Sequence, residues 1–120
     1  MLKRSICVRT RRAFLHCYPE APDTVDYLKY PHRHLMHIGL QMEVFHNDRE
    51  LEFILVVSSL NTMIEHTPWS HITSCEQIAE KIIDWARETY GERDMKVSVF
   101  EDGENGAIVE YTRTHYERED

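Results

Sequence analysis

The chain has 120 residues, of which 42% are apolar and 29% charged, with 4 Gly and 4 Pro. That balance fits one packed globule and excludes a disordered, collagen-like or disulfide-knotted chain. Lys and Arg number 14 against 21 Asp and Glu, a formal charge of -7, and such an acidic surface argues against a nucleic-acid partner.

Residues 1–120 are therefore read as a single domain. No apolar run approaches the roughly 20 residues that span a bilayer, so no membrane segment is predicted. The basic start, Met1 to Arg9, has no apolar stretch behind it and predicts no signal peptide. Cys7, Cys17 and Cys75 lack zinc-knuckle spacing and read as free thiols of a cytoplasmic protein. The unusual count is histidine, eight in all, the commonest metal ligand and the side chain that titrates nearest neutrality.

In chain order, Ser5 to His16 alternates as a strand: Ile6, Val8, Phe14 and His16 share one parity, Arg9 and Arg11 the other. The basic residues Lys3, Arg4, Arg9, Arg11 and Arg12 read as the solvated side of this strand or as a small anion-binding strip. Residues 17–31, with Pro19, Pro22 and Pro31, form a long loop of the kind that tends to carry function. His32 to His46 alternates again, with His32, His34, Met36, Ile38, Leu40, Met42 and Val44 on one face and His37 on the other. Asn47-Asp48 makes a turn.

Leu51 to Ile64 combines strand propensity at Ile54–Val57 with helical spacing of Phe53, Val56, Val57, Leu60, Met63 and Ile64. A short extended start leading into a helix is predicted. Thr73 and Glu76 form a capping-box pattern ahead of an amphipathic helix through Cys75, Ile78, Ala79, Ile82, Trp85, Ala86 and Tyr90, closed by Gly91. Met95–Glu101 and Ala107–Arg113 are two strands joined by residues 102–106, and the charged tail 114–120 is expected to fray. The order strand, strand, helix, helix, strand, strand predicts an α+β fold with one antiparallel sheet and both helices on one face.

The strongest chemical signal is His32-Arg33-His34. Residues two apart on a strand point the same way and lie roughly 6.5–7 Å apart, so two imidazoles can converge on one cation. His16 ends the matching face of the first strand, and pairing of the two strands would complete a three-nitrogen site. Three protein ligands leave a fourth tetrahedral position open, as in catalytic zinc sites. The competing reading is three partly buried histidines bonded to backbone carbonyls. Glu101 ends the apolar face of Met95, Val97 and Val99. A carboxylate there either emerges into water or awaits an N–H-rich ligand. Glu65-His66, with His71 nearby, is a possible acid–base pair or a chance neighbourhood in a loop. Cys17 follows His16 and should face away from the metal, as a structural residue; His46 and His115 read as exposed ends.

Taken together, these pieces resemble the 6-pyruvoyl-tetrahydropterin synthase and 6-carboxy-tetrahydropterin synthase (queuosine-pathway) family over roughly Phe14 to Tyr111. The matches are His16 and His32-Arg33-His34 for its zinc histidines, Glu52-Phe53 for its Asp-Phe, Thr73-Ser74-Cys75-Glu76 for its helix start, and Val97-Ser98-Val99-Phe100-Glu101 for its pterin-anchoring strand. The resemblance implies a tunnelling-fold (T-fold) subunit of order β-β-α-α-β-β that assembles as a trimer or hexamer. It also implies Zn²⁺ on His16, His32 and His34, a pterin or purine-derived ligand on Glu101, and Glu65 with His66 as catalytic pair. The alternative is a non-catalytic pterin- or nucleotide-binding member. Leu28 stands where the family carries its catalytic Cys, and Arg33 replaces the middle Gly of His-Gly-His.

Overall fold

In a computed structural model that describes residues 1–113, β1 (Arg4–His16) and β2 (His32–Val44) form a long antiparallel ribbon. Two helices follow, α1 (Phe53–His66) and α2 (Cys75–Tyr90), then β3 (Met95–Glu101) and β4 (Asn105–Tyr111). The four strands make one open antiparallel sheet in the order β1-β2-β3-β4. The fold is α+β. No helix among the described residues is long and apolar enough to cross a membrane, and the tail with His115 lies outside the described residues.

Alternation decides which face of the sheet is covered. Val8 and Phe14 of β1, Met36, Ile38, Leu40 and Met42 of β2, and Met95, Val97 and Val99 of β3 all point inward and are buried. They share one core with Val56, Leu60 and Ile64 of α1 and with Ile78, Ala79, Ile82, Ile83 and Ala86 of α2. Both helices thus cover the same face. Leu60 is fully buried at the centre of this layer. Leu60→Ala is expected to cost about 2–5 kcal/mol, the range for a large-to-small core change, read as a lowered urea midpoint.

Several boundaries differ from the sequence expectation. The 17–31 loop contains a kinked 3₁₀ stretch, Asp23–Lys29. β2 stops at Val44, because residues 45–48 bend away from the sheet. α1 has no extended start: the Glu52 side chain accepts the Ile54 N–H and the helix begins at Phe53, which is 51% exposed rather than core. The capping box lies one residue later than expected, on Ser74 and Gln77, with bonds of 3.1 and 2.9 Å. The Thr73 hydroxyl is instead engaged with the Ser70 carbonyl. The β3–β4 turn is only residues 102–104, so β4 starts at Asn105 and ends at Tyr111.

Candidate metal centre

Register brings the histidines together. His16 stands directly opposite His32, and Phe14 opposite His34, so both strands bring their imidazoles to one end of the covered face. The three rings meet edge to face with centroids 4.6, 5.1 and 4.8 Å apart, and one ligand nitrogen from each lies within 4.8 Å of the others. A tetrahedral ion with bonds of about 2.1 Å needs ligands roughly 3.4 Å apart. The rings would have to turn toward one another to close that gap.

The outer nitrogens are already committed. His32 Nδ1 is 2.8 Å from the Tyr30 carbonyl oxygen, and His34 Nδ1 is 2.7 Å from Asp102 Oδ2. With those nitrogens protonated as donors, Nε2 of each ring carries the lone pair a metal requires. Metal-ligating histidines typically show this arrangement, one nitrogen toward the ion and the other held by a carbonyl or carboxylate. Among the described residues His16 Nε2 is buried without a hydrogen-bond partner, with the carboxylate oxygen Glu101 Oε2 3.3 Å away. A buried polar atom left unmatched is costly, and a cation between the rings would satisfy it. The donor set therefore fits a metal ion. Imidazole donors suit several transition ions.

Burial lowers the His16 pKa below its ordinary 6.5, against a smaller opposing pull from Glu101. The ring is thus neutral at pH 7, as a ligand must be. The sign for stability follows directly. The unfolded chain binds this proton more readily than the folded one, so the contribution is complete above pH 6.5 and is lost as pH falls through the lower folded value. Urea unfolding of metal-free protein from pH 8 to 5 should show this loss, and His16→Asn should flatten it.

Beside the triad opens a cavity of about 630 Å³, lined among others by His16, His32, Leu28, Cys75 and Glu101. Its wall is set by the 67–74 segment: the Trp69 indole N–H donates to the Ile64 carbonyl, its ring packs on Phe14, and the Cys17 N–H donates to the His71 carbonyl. Glu101 ends the inward face of β3 as expected, with its carboxylate 3.3 and 3.7 Å from His16 and His34 Nε2. It places a carboxylate beside the three rings. Cys75, at the first turn of α2, has its Sγ 3.9 Å from Glu101 Oε2. Burial, then Glu101 and Glu76, push its pKa up to about 11. The thiol stays protonated at neutral pH and is no nucleophile.

Other expected site residues fall elsewhere. His66 does not reach this cavity: its Nδ1 is 2.8 Å from the Thr62 carbonyl oxygen, and it lines a separate groove with Ser58 and Trp85. Glu65, its exposed neighbour on α1, is absent from the cavity wall as well. The pair is therefore not brought to the triad within one subunit, because α1 ends there and carries it away from the strand ends. Cys17 does not turn away but lines the cavity, since β1 ends at His16 and strand alternation stops with it. His37 lies on the opposite sheet face. Asp102 is the residue the sequence reading missed; only its place in the turn beside β2 reveals it. No protein-family model matches the chain, and no curated protein matches it.

Proposed function

We propose that this chain is a zinc-holding T-fold protein that takes a pterin or related purine-derived ligand into the cavity beside its histidine triad. The observation that carries this reading is His16 Nε2, buried without a hydrogen-bond partner among the described residues, beside two histidines whose outer nitrogens are already held. Zn²⁺ held by His16, His32 and His34 would supply a Lewis acid with one position open to a ligand oxygen. Glu101, at the cavity wall, would accept hydrogen bonds from the guanidine-like edge of the heterocycle, a charge-assisted contact stronger than a neutral one. The resemblance to the tetrahydropterin synthase family supports the ligand class, the zinc and assembly as a trimer or hexamer.

Capture without turnover is favoured by a specific pattern. Leu28 lines the cavity where the family places a catalytic thiol, the Cys75 thiol is held protonated, and His66 faces another groove. A synthase reading requires Glu65 and His66 to enter the cavity of a second copy. Elemental analysis of metal-supplied protein should give one zinc per chain. Incubation of that protein with dihydroneopterin triphosphate then separates the two forms: bound but unchanged ligand supports capture, and a tetrahydropterin product supports the synthase. Absence of both zinc and pterin binding overturns the proposal.

A further inference from the structure

The uncovered face of the sheet carries a hollow whose lining differs in chemistry from that of the triad. Arg9 and Arg11 project from it two residues apart on β1, Gly39 and His37 lie beside them on β2, and Ser98 and Phe100 complete the row on β3. Together they line a hollow of about 560 Å³. Its floor is Gly39, where a Cβ would stand 2.7 Å from Ser98 Oγ; the missing side chain leaves the serine hydroxyl facing the hollow. Parity separates these residues from Arg4 and Arg12, and Lys3 is engaged with Asp94. Arg12 turns to the helix side and donates to the Asn61 carbonyl.

Charge bears on what the hollow can hold. The chain carries 21 acidic residues against 14 basic ones. Among the described residues, Lys3, Lys29, Arg49, Arg87, Arg93, Lys96 and Arg113 have ion-pair partners and Arg9 and Arg11 do not; of the unpaired Lys and Arg, these two line the hollow. Guanidinium groups rooted roughly 6.5–7 Å apart on a strand can grip one tetrahedral oxyanion from two sides, each through paired N–H donors. The Ser98 hydroxyl adds a donor from below, and the Phe100 ring forms an apolar wall.

We infer that this hollow binds a small phosphate-class oxyanion, free or as a phosphomonoester. The overall negative charge turns away a long polyanion, while the local arginine pair holds a single phosphate. The site lies across the sheet from the histidine triad and does not depend on the metal reading.

The test is calorimetric titration of the full chain at constant ionic strength with inorganic phosphate and, separately, with phenyl phosphate. One saturable site per chain is expected, weakened at least tenfold in Arg9→Gln/Arg11→Gln and retained in His34→Ala. Tighter binding of phenyl phosphate would assign the hollow to a phosphomonoester packed on Phe100, and equal binding to free phosphate; both support the site. Unchanged binding in the double arginine variant overturns it. So does loss of binding in His34→Ala, which would move the phosphate to the metal centre.

Discussion

His34→Ala is expected to abolish stoichiometric metal binding while leaving the fold intact. The ring is partly exposed at the end of the sheet and outside the helix-covered core, so its loss opens no internal cavity. Among the described residues it supplies one of the three nitrogens that converge there. The affinity loss should therefore exceed the 10- to 100-fold that removal of an outer-sphere partner costs. Elemental analysis after desalting reads the effect directly. Thermal unfolding gives an independent measure, since a ligand present at 100 times its Kd stabilises the folded state by about 2.7 kcal/mol. Added metal should raise the midpoint of the parent protein and leave that of His34→Ala unmoved. His37→Ala, on the opposite face of the same strand, is the control and should keep its metal. Retained stoichiometry in His34→Ala would dissolve the centre.

The second large effect is expected at Asp102, which touches no ligand nitrogen of the triad. Its φ of 55° lies in the left-handed region that non-glycine residues seldom adopt. Three bonds hold it there: its N–H donates to the Leu35 carbonyl at 2.7 Å, its Oδ1 accepts the Leu35 N–H at 2.9 Å, and its Oδ2 stands 2.7 Å from His34 Nδ1. The Leu35 N–H and then His34 keep this carboxyl below its ordinary pKa. Asp102 is thus a positioning residue for the His34 ring.

Asp102→Asn tests that role with almost no change in shape, and asparagine tolerates the left-handed backbone. With the amide oxygen still accepting the Leu35 N–H, the amide NH₂ faces His34 Nδ1. That arrangement favours the tautomer with the proton on Nε2, where the metal would bind. A 10- to 100-fold loss of metal affinity is expected, together with a shift in the His34 tautomer visible in imidazole ¹⁵N spectra. Parent-like affinity and tautomer in Asp102→Asn would show that Asp102 merely closes the turn.

The two strands that hold the histidines are legible because alternation is a local property. His16 ends the parity of Val8 and Phe14, and His32 and His34 lead the parity of Met36 to Met42, so the covered face could be assigned without a partner strand. Glu101 follows from the same reasoning on β3. The α2 start reads one residue early along the chain, on Thr73/Glu76, because the capping pattern is local and the true cap is Ser74 with Gln77. The Thr73 hydroxyl is drawn off by the Ser70 carbonyl, a contact the local pattern does not show.

Register, by contrast, is a tertiary quantity. With 15 residues between β1 and β2, no tight turn dictates the pairing, and a slip of one residue would have sent an imidazole to the wrong face. The observed pairing sets His16 opposite His32. The pairing of Met36 with Glu101 then lays the next hairpin's turn against Leu35, which is how Asp102 reaches His34. Adjacency in the chain was a poor guide for Glu65 and His66, because the end of a helix points where its packing directs it. Side-chain alternation and helical spacing depend on neighbours a few residues away and can be read along the chain. The convergence of three rings and a carboxylate depends on how separate strands align, and only the packed sheet decides that.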